Sequence, residues 1–594
     1  MIAATEWGWS AWAWLVIPLA IYGLTSLTLF AFGRTNDMRN PLTFFFGQIG
    51  DTLRRITGYP GWSMAGVLSG LIMLLVVVIG FYWDVAWHID NGRDQQLFTP
   101  SHVMILVGLG GLIYAAGIAV LFASLEKAQT ALRWGFLHVP WSAVLLVALG
   151  LGGVTAFGFD ALWHEAYGVD VTLWSPPHIQ LVVSGSLGTI ALWLMLAEAR
   201  PYAEPTLLGK SINVLTAGTV LVGMSTLQGE FDYGVPQFQV LYLPILIMIA
   251  AGFTLMAARR ALGPGGALKV VGVYLVLRAF LAFSIGGVMN HTVPHFPLYL
   301  GSALVVEAAF LWLGTHRPVR LAVVTGALVG TVGLVTELGW VTLWGFSTSA
   351  RLPASLALKI AILGPIAAVA ASLVGTALGG AIAKARETIP AAALAAAGVA
   401  LLGTLAFPLP RDVGPVTAII RLEQVGSMAI VDVTLDPPDA ARNATAFAVS
   451  SWQGGSETVS ADLNQVSMGR YVSARPMPVT GSWKTMVSLQ RGSEVMAVPV
   501  YLPADPEIGA PEVPALPERT EAFVRNTTIL LREVRGGPAG AAIAAYSGLA
   551  VVVAVFITLI AITARRLPPV DPPPGPPFDD RLTPPPAWAT TVRT

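Results

Sequence analysis

The sequence predicts an all-α polytopic membrane protein of about thirteen transmembrane helices, joined to an extracytoplasmic β-sandwich. Three observations predict this. Of 594 residues, 55% are hydrophobic and 11% charged, and mean hydropathy is +0.68, which is the balance of a chain dissolved largely in lipid. Apolar runs of about 20 residues, the length that crosses a bilayer core, recur along the chain. After Pro410 the runs give way to β-branched and alternating segments between Gly, Pro and Asp turns, the pattern of short antiparallel strands.

The apolar runs lie near 11–32, 64–84, 102–124, 139–160, 178–197, 208–227, 238–257, 267–288, 298–314, 321–344, 356–381, 389–407 and 540–563. Met1 to Ser10 has no basic leader, so the first run reads as a retained helix and not a signal peptide. Pro41 to Tyr59 sets Phe44, Phe45 and Phe46 among Arg54 and Arg55, which predicts an amphipathic helix along the membrane surface. Glu307 and Glu337 lie within apolar runs, where a carboxylate is costly, and are expected to hydrogen-bond between helices. The strand-like stretches are 416–422, 428–435, 446–452 and 484–489. The expected organisation is a membrane domain over 1–410, a β-sandwich over 411–510, a linker over 511–539, a C-terminal transmembrane helix over 540–563 and a disordered Pro-rich cytoplasmic tail over 564–594.

Cationic residues set the orientation. Arg54, Arg55, Lys127, Arg133, Arg200, Arg259, Arg260, Arg317, Arg320, Lys384, Arg386, Arg565 and Arg566 all fall in odd-numbered loops or after the last run. Cytoplasmic loops carry such an excess, so the N-terminus is expected outside and the C-terminus inside, in the cytoplasmic membrane of a bacterium. His138 and His316 then lie on the cytoplasmic side and read as surface residues. Lys+Arg and Asp+Glu balance at 34 each, so charge gives no reason to expect a nucleic-acid partner. With no cysteine, the chain forms no disulfide, iron–sulfur cluster or thiolate metal site. No His follows His316, so the sandwich lacks the ligands of a blue-copper centre and reads as a cover, docking or assembly module.

The even loops hold the chemistry. Asp84 and His88 are four residues apart, which places them on one face of a helix. His102 follows fourteen residues after His88, just behind Thr99-Pro100. Thr is a good N-cap and Pro suits the first helical position, so His102 belongs to the first turn of the next helix. Asp160, His164 and His178 repeat both spacings, with Ser175-Pro176-Pro177 ahead of the last His and a Trp before the first His in each copy. A single helix-end His is ordinarily a capping or hydrogen-bonding group. Two copies of one Asp/His/His spacing predict metal sites at Asp84/His88/His102 and Asp160/His164/His178. Two imidazoles and a carboxylate suit copper, zinc or iron(II), with copper bound most strongly. Two further outer turns lack this spacing. In one, Glu230 and Asp232 read as hydrated loop residues, with a supporting or entry role as the alternative. In the other, His291 and His295 read equally as an additional site or as part of a hydrogen-bond network.

Asp84-x-x-Trp-His88, then Arg93-Asp94, then Phe98-Thr-Pro-Ser-His102 resembles the metal-binding segment in the C subunit of copper membrane monooxygenases. The resemblance covers roughly residues 60 to 200. It implies an enzyme that oxidises methane, ammonia or short hydrocarbons with O₂, and two neighbouring metal sites, Asp/His/His and Asn/His/His. Asp84, His88 and His102 match the first site, and His164 and His178 match the histidines of the second. Asp160 stands where the family usually has Asn, which alters the charge of that site. The resemblance further implies that the second cluster, Asp160, His164 and His178, is the catalytic one.

The leading expectation is therefore a copper-dependent membrane monooxygenase or its metal-bearing subunit. Trp83, Trp87, Trp163 and Trp174 read either as a wall of its pocket or as part of an interfacial aromatic belt. No flavin, haem or nicotinamide motif is apparent, so an external electron donor is expected, together with other monooxygenase subunits or a homo-oligomer as partners. The alternatives are a non-catalytic copper-binding, assembly or transport protein, and a subunit whose metal only fixes helices. Clustering of all ligands at one face disfavours transport.

Overall fold

The computed structural model describes residues 10–35, 40–91, 98–129, 132–168, 172–234, 239–344, 354–409, 414–454, 457–533 and 535–568. A helical membrane body is followed by a β-domain and a last long helix. The body contains α1 (Ser10–Thr35), α2 (Pro41–Thr57), α3 (Gly61–Asn91), α4 (Pro100–Leu125), α5 (Trp141–Tyr167), α6 (Pro176–Ala199), α7 (Leu207–Thr226), the short α8 (Gly229–Asp232), α9 (Tyr242–Leu262), α10 (Gly266–Ala282), α11 (Leu300–Leu313), α12 (Pro318–Leu328), α13 (Leu334–Trp344), α14 (Ala357–Ala383) and α15 (Ala391–Ala406). A small hairpin, β1 (Leu132–Trp134) with β2 (Leu137–Val139), joins α4 to α5.

Among the described residues, ten helices are long and apolar enough to cross a membrane. Three more apolar helical stretches, Tyr22–Gly33, Leu300–Leu313 and Ala391–Ala406, are shorter. All thirteen apolar runs are thus largely helical, but ten is the number with the length and composition of spans. α2 forms over 41–57 with Asn40 as its cap, and Phe46 turns inward against Phe122 while Phe44 and Phe45 stay exposed. The expected tail lies almost wholly outside the described residues.

α3 and α4 form an antiparallel hairpin, as do α5 and α6. The first hairpin closes tightly because of glycine. A Cβ at Gly108 would meet the Met73 carbonyl oxygen at 2.7 Å, and one at Gly80 the Ser101 carbonyl oxygen at 3.0 Å. Backbones can approach this closely only where no side chain intervenes. That contact brings the start of α4 against the end of α3, where Asp84 lies.

The carboxylates in the apolar runs act as expected. Glu307 accepts from Arg259 Nε at 2.6 Å and from the Gly265 and Ala267 amides that open α10. Glu337 accepts from the Leu298 amide at 2.9 Å. His316 is exposed, but His138 is buried, its ring bonded to the Ala128 carbonyl, so only one of the two is a surface residue.

The β-domain differs from the expected sandwich. Its strands are β3 (Thr417–Val425), β4 (Met428–Asp436), β5 (Ala446–Gly454), β6 (Glu457–Ser467), β7 (Arg470–Ser473), β8 (Met477–Pro478), β9 (Lys484–Arg491), β10 (Glu494–Tyr501), β11 (Glu518–Ala522) and β12 (Val524–Arg525). They form one antiparallel sheet in the order β11-β3-β4-β7-β6-β5-β9-β10-β12, with β8 on β4. The chain steps from one end of this sheet to the other within β11 and β12, so the sheet nearly closes around Val431, Val433, Val487 and Leu489. Such closure leaves little exposed edge. The expected linker over 511–539 is therefore corrected: it contributes both terminal strands and the short helix α16 (Asn526–Leu530). The final helix, α17 (Ala539–Arg566), covers the expected 540–563 and packs on α5 and α6.

Candidate metal centre

The first cluster assembles as the local chemistry dictates. The Thr99 side chain accepts from the His102 amide at 3.4 Å and Pro100 opens α4, so His102 occupies the first turn. Its Nε2 lies 3.1 Å from Asp84 Oδ1, and His88 Nε2 lies 3.6 Å from Asp84 Oδ2. Ser101 donates to Asp84 Oδ1 at 2.6 Å. The second cluster repeats the arrangement, with Asp160 Oδ1 3.5 Å from His164 Nε2 and 3.2 Å from His178 Nε2. Its capping differs: Ser175 makes no side-chain cap bond, and Pro176 and Pro177 alone mark the turn. The imidazole centroids stand 6.1 Å apart in the first cluster and 6.0 Å in the second.

Each trio offers three donor atoms within 4.8 Å of one another, and these are the two such groups among the described residues. Metal–ligand bonds of about 2.0–2.1 Å at a tetrahedral angle separate the ligands by about 3.3 Å. The carboxylate-to-imidazole separations of 3.1–3.6 Å bracket that value.

The second cluster carries a sharper constraint. His178 Nδ1 contacts the Thr172 carbonyl oxygen, an acceptor, so Nδ1 holds the proton. In a neutral ring Nε2 is then a lone pair, and it faces Asp160 Oδ1. Two acceptors at 3.2 Å repel unless the ring is protonated or a cation lies with them. An imidazole fixed through its far nitrogen is the usual arrangement of a metal-ligating His.

Glu230 holds that loop. Its carboxylate accepts from the Leu173 amide at 2.8 Å, Thr172 Oγ1 at 3.1 Å and Trp174 Nε1 at 3.0 Å. Asp232 accepts from Arg278 Nη2 at 2.6 Å and from Tyr82 Oη at 2.9 Å, two residues before Asp84. Reading these two acids as hydrated loop residues is corrected: Glu230 is 8% exposed and Asp232 2%, because α8 folds the turn inward. His291 and His295 join neither cluster. His291 Nδ1 lies 2.8 Å from Asp90 Oδ2, which also accepts from the Thr292 amide, and the His295 backbone bonds to Asp232 and Arg278. This is the hydrogen-bond network of the two expectations. Burial holds His295 down at about 4, so it is neutral near pH 7.

The six side chains of the two clusters and Glu230 line one cavity of about 630 Å³. Its wall is otherwise mostly aliphatic, with Phe81 and Phe157. The four tryptophans, read as a wall or a belt, do not line it. Trp163 instead stacks on Tyr167 at 4.2 Å, and Trp174 is engaged by Glu230. The β-domain supplies Trp452, Lys484 and Leu530 to the cavity, so it covers the cluster end of the membrane body.

Comparison with family models, with curated proteins and with solved structures finds no match to this chain.

Proposed function

We propose that this chain is a copper-binding membrane oxygenase, or the metal-bearing subunit of one, that oxidises an apolar substrate with O₂. The observation that carries the reading is the second cluster: His178, with its Nδ1 proton committed to a carbonyl, turns Nε2 toward Asp160 and His164 inside an apolar cavity. Asp84, His88 and His102 would hold one ion, and Asp160, His164 and His178 the other. Their donor set suits copper, with zinc or iron as the other fitting ions. When bound by these residues, copper would supply the capacity to activate O₂. The chain's own residues orient the imidazoles, keep the pocket poor in water and admit apolar molecules from lipid. Electrons come from an external donor. The second cluster is assigned the reaction because of its resemblance to the catalytic site of copper membrane monooxygenases.

The test is elemental analysis of the purified full-length protein, followed by turnover with copper, O₂, a reductant and an apolar substrate. Substituting Ala for His164 or His178 is expected to abolish oxidation while the protein still folds and inserts. His88→Ala is expected to remove one metal equivalent. If a variant lacking His88, His102, His164 and His178 keeps the wild-type metal content, the reading is wrong. The basic odd loops support a further part of this reading, in which the clusters and the β-domain lie on the outer face of a bacterial cytoplasmic membrane. Protease treatment of right-side-out vesicles should accordingly reach the β-domain and spare the tail.

A further inference from the structure

The cavity is far taller than a small gas requires. From Leu68 to Ile89, α3 lines it over twenty-one residue steps, about 31 Å at 1.5 Å per residue. The clusters occupy only the upper end. Below them the walls come from α3, α4, α6, α7 and α10, and the polar lining there is confined to serine and threonine hydroxyls. Ile72 lies twelve residues below Asp84 on α3, about 18 Å along the axis. One leaflet of a bilayer core is about 15 Å deep, so the slot has the length of a lipid tail.

The slot also has a side opening. Ile72 lines it and is 59% exposed, and Leu75 of α3 and Leu215 of α7 line it with exposed side chains as well. These apolar residues lie in helices of membrane-spanning length, so the exposed face meets hydrocarbon. A volume of 630 Å³ falls in the range of cavities that enclose ligands of drug size. The upper end is closed by Trp452, Lys484 and Leu530 of the β-domain.

We infer that the cavity takes a single linear alkyl chain of lipid-tail length from the bilayer, enters it past Ile72 and Leu215, and seats one chain end at the two Asp/His/His clusters. This names the substrate class for the reading above and rests on it for any chemistry. Chain binding itself is independent of that reading, because the apolar slot lies below the ligands.

The experiment uses the full-length protein in nanodiscs and alkyl probes with a diazirine at one chain end, one of hexyl and one of tetradecyl length. Labelled peptides are mapped by mass spectrometry, and metal is measured in the same samples. The tetradecyl probe is expected to label both the cluster end, near Val85 and Ala161, and the lower end, near Leu71. Unlabelled n-tetradecane should suppress that labelling more strongly than n-hexane. Leu215→Trp is expected to cut tetradecyl labelling at the cluster end at least tenfold, with metal content kept. Ile72→Trp, at a lipid-exposed position, provides the same test if the first variant folds poorly. Equal labelling by both probes in wild type, or no effect of either Trp variant on a folded protein, overturns the inference even where metal is bound. Labelling as expected in a protein that binds no metal supports the slot and overturns the oxygenase reading instead.

Discussion

Glu230→Gln tests whether the second cluster is a built metal site. The carboxylate accepts from Leu173, Thr172 and Trp174, three successive residues, and the Thr172 carbonyl in turn meets His178 Nδ1. A glutamine keeps one acceptor oxygen and turns an NH₂ toward groups that are themselves donors. At least one of the three contacts must break, and the loop that fixes the His178 ring relaxes. Loss of a supporting contact of this kind ordinarily weakens metal binding about 10–100-fold, or about 1.4–2.8 kcal/mol. The assay is copper titration against a chelator of known affinity. The first cluster serves as the internal control, since its histidines lie on α3 and α4 and not behind the 172–174 loop that Glu230 holds. The expected result is one site weakened and one unchanged. Equal weakening of both sites, or no change at either, refutes the argument that Glu230 positions His178.

Two further outcomes follow from the network beside the clusters. Arg278 and Asp232 are 1% and 3% exposed in their side chains and 2.6 Å apart. Arg278→Met leaves the carboxylate buried without its partner and should destabilise by about 3–5 kcal/mol, whereas Arg278→Met with Asp232→Leu should recover most of the loss; thermal unfolding in detergent measures both. Burial lowers His295 from 6.5 to about 4, so the folded state binds fewer protons than the unfolded chain between those values. Its stabilising contribution is present above pH 6.5 and lost as pH falls towards 4, and melting temperature over that window should depend less on pH in His295→Gln.

What the sequence made legible is what depends on near neighbours. The Asp-to-His step of four and the Thr99-Pro100 start are facts of one helix turn, and both clusters stand where those spacings place them. The wall reading of the tryptophans fails for a related reason. A residue adjacent to a ligand points about 100° away from it around the helix, so Trp163 beside His164 turns out towards Tyr167 and Tyr546. For Glu230 the sequence offers a supporting role only as the alternative to a hydrated loop residue, because its partners are 56 to 58 residues away and meet it only after α6 and α7 have packed. β11 was hidden behind a Pro-rich stretch, and its partner β3 lies about a hundred residues earlier. The cover formed by Trp452, Lys484 and Leu530 likewise depends on how a separate domain seats on the helices.

The two clusters share a ligand set but not a carboxylate environment, and this predicts an order of metal loss. Asp84 accepts from Ser101, the residue before His102, at 2.6 Å. The residue before His178 is Pro177, which has no hydroxyl to give. A hydrogen bond to a carboxylate spreads its charge and competes with a cation for its lone pairs, at about 1.5–3 kcal/mol for a charged acceptor. Asp160 is spared that competition, and its side chain is only 6% exposed against 17% for Asp84. A cation therefore meets a more concentrated charge at the second cluster. Stepwise dialysis against a chelator should release one metal equivalent first, and it should be the one that His88→Ala removes. Ser101→Ala, which frees Asp84, should slow that first release, because the hydroxyl is a competitor and not a support. If Ser101→Ala speeds the release, Ser101 instead orients Asp84 for the metal, and the inequality between the clusters must lie in the histidines.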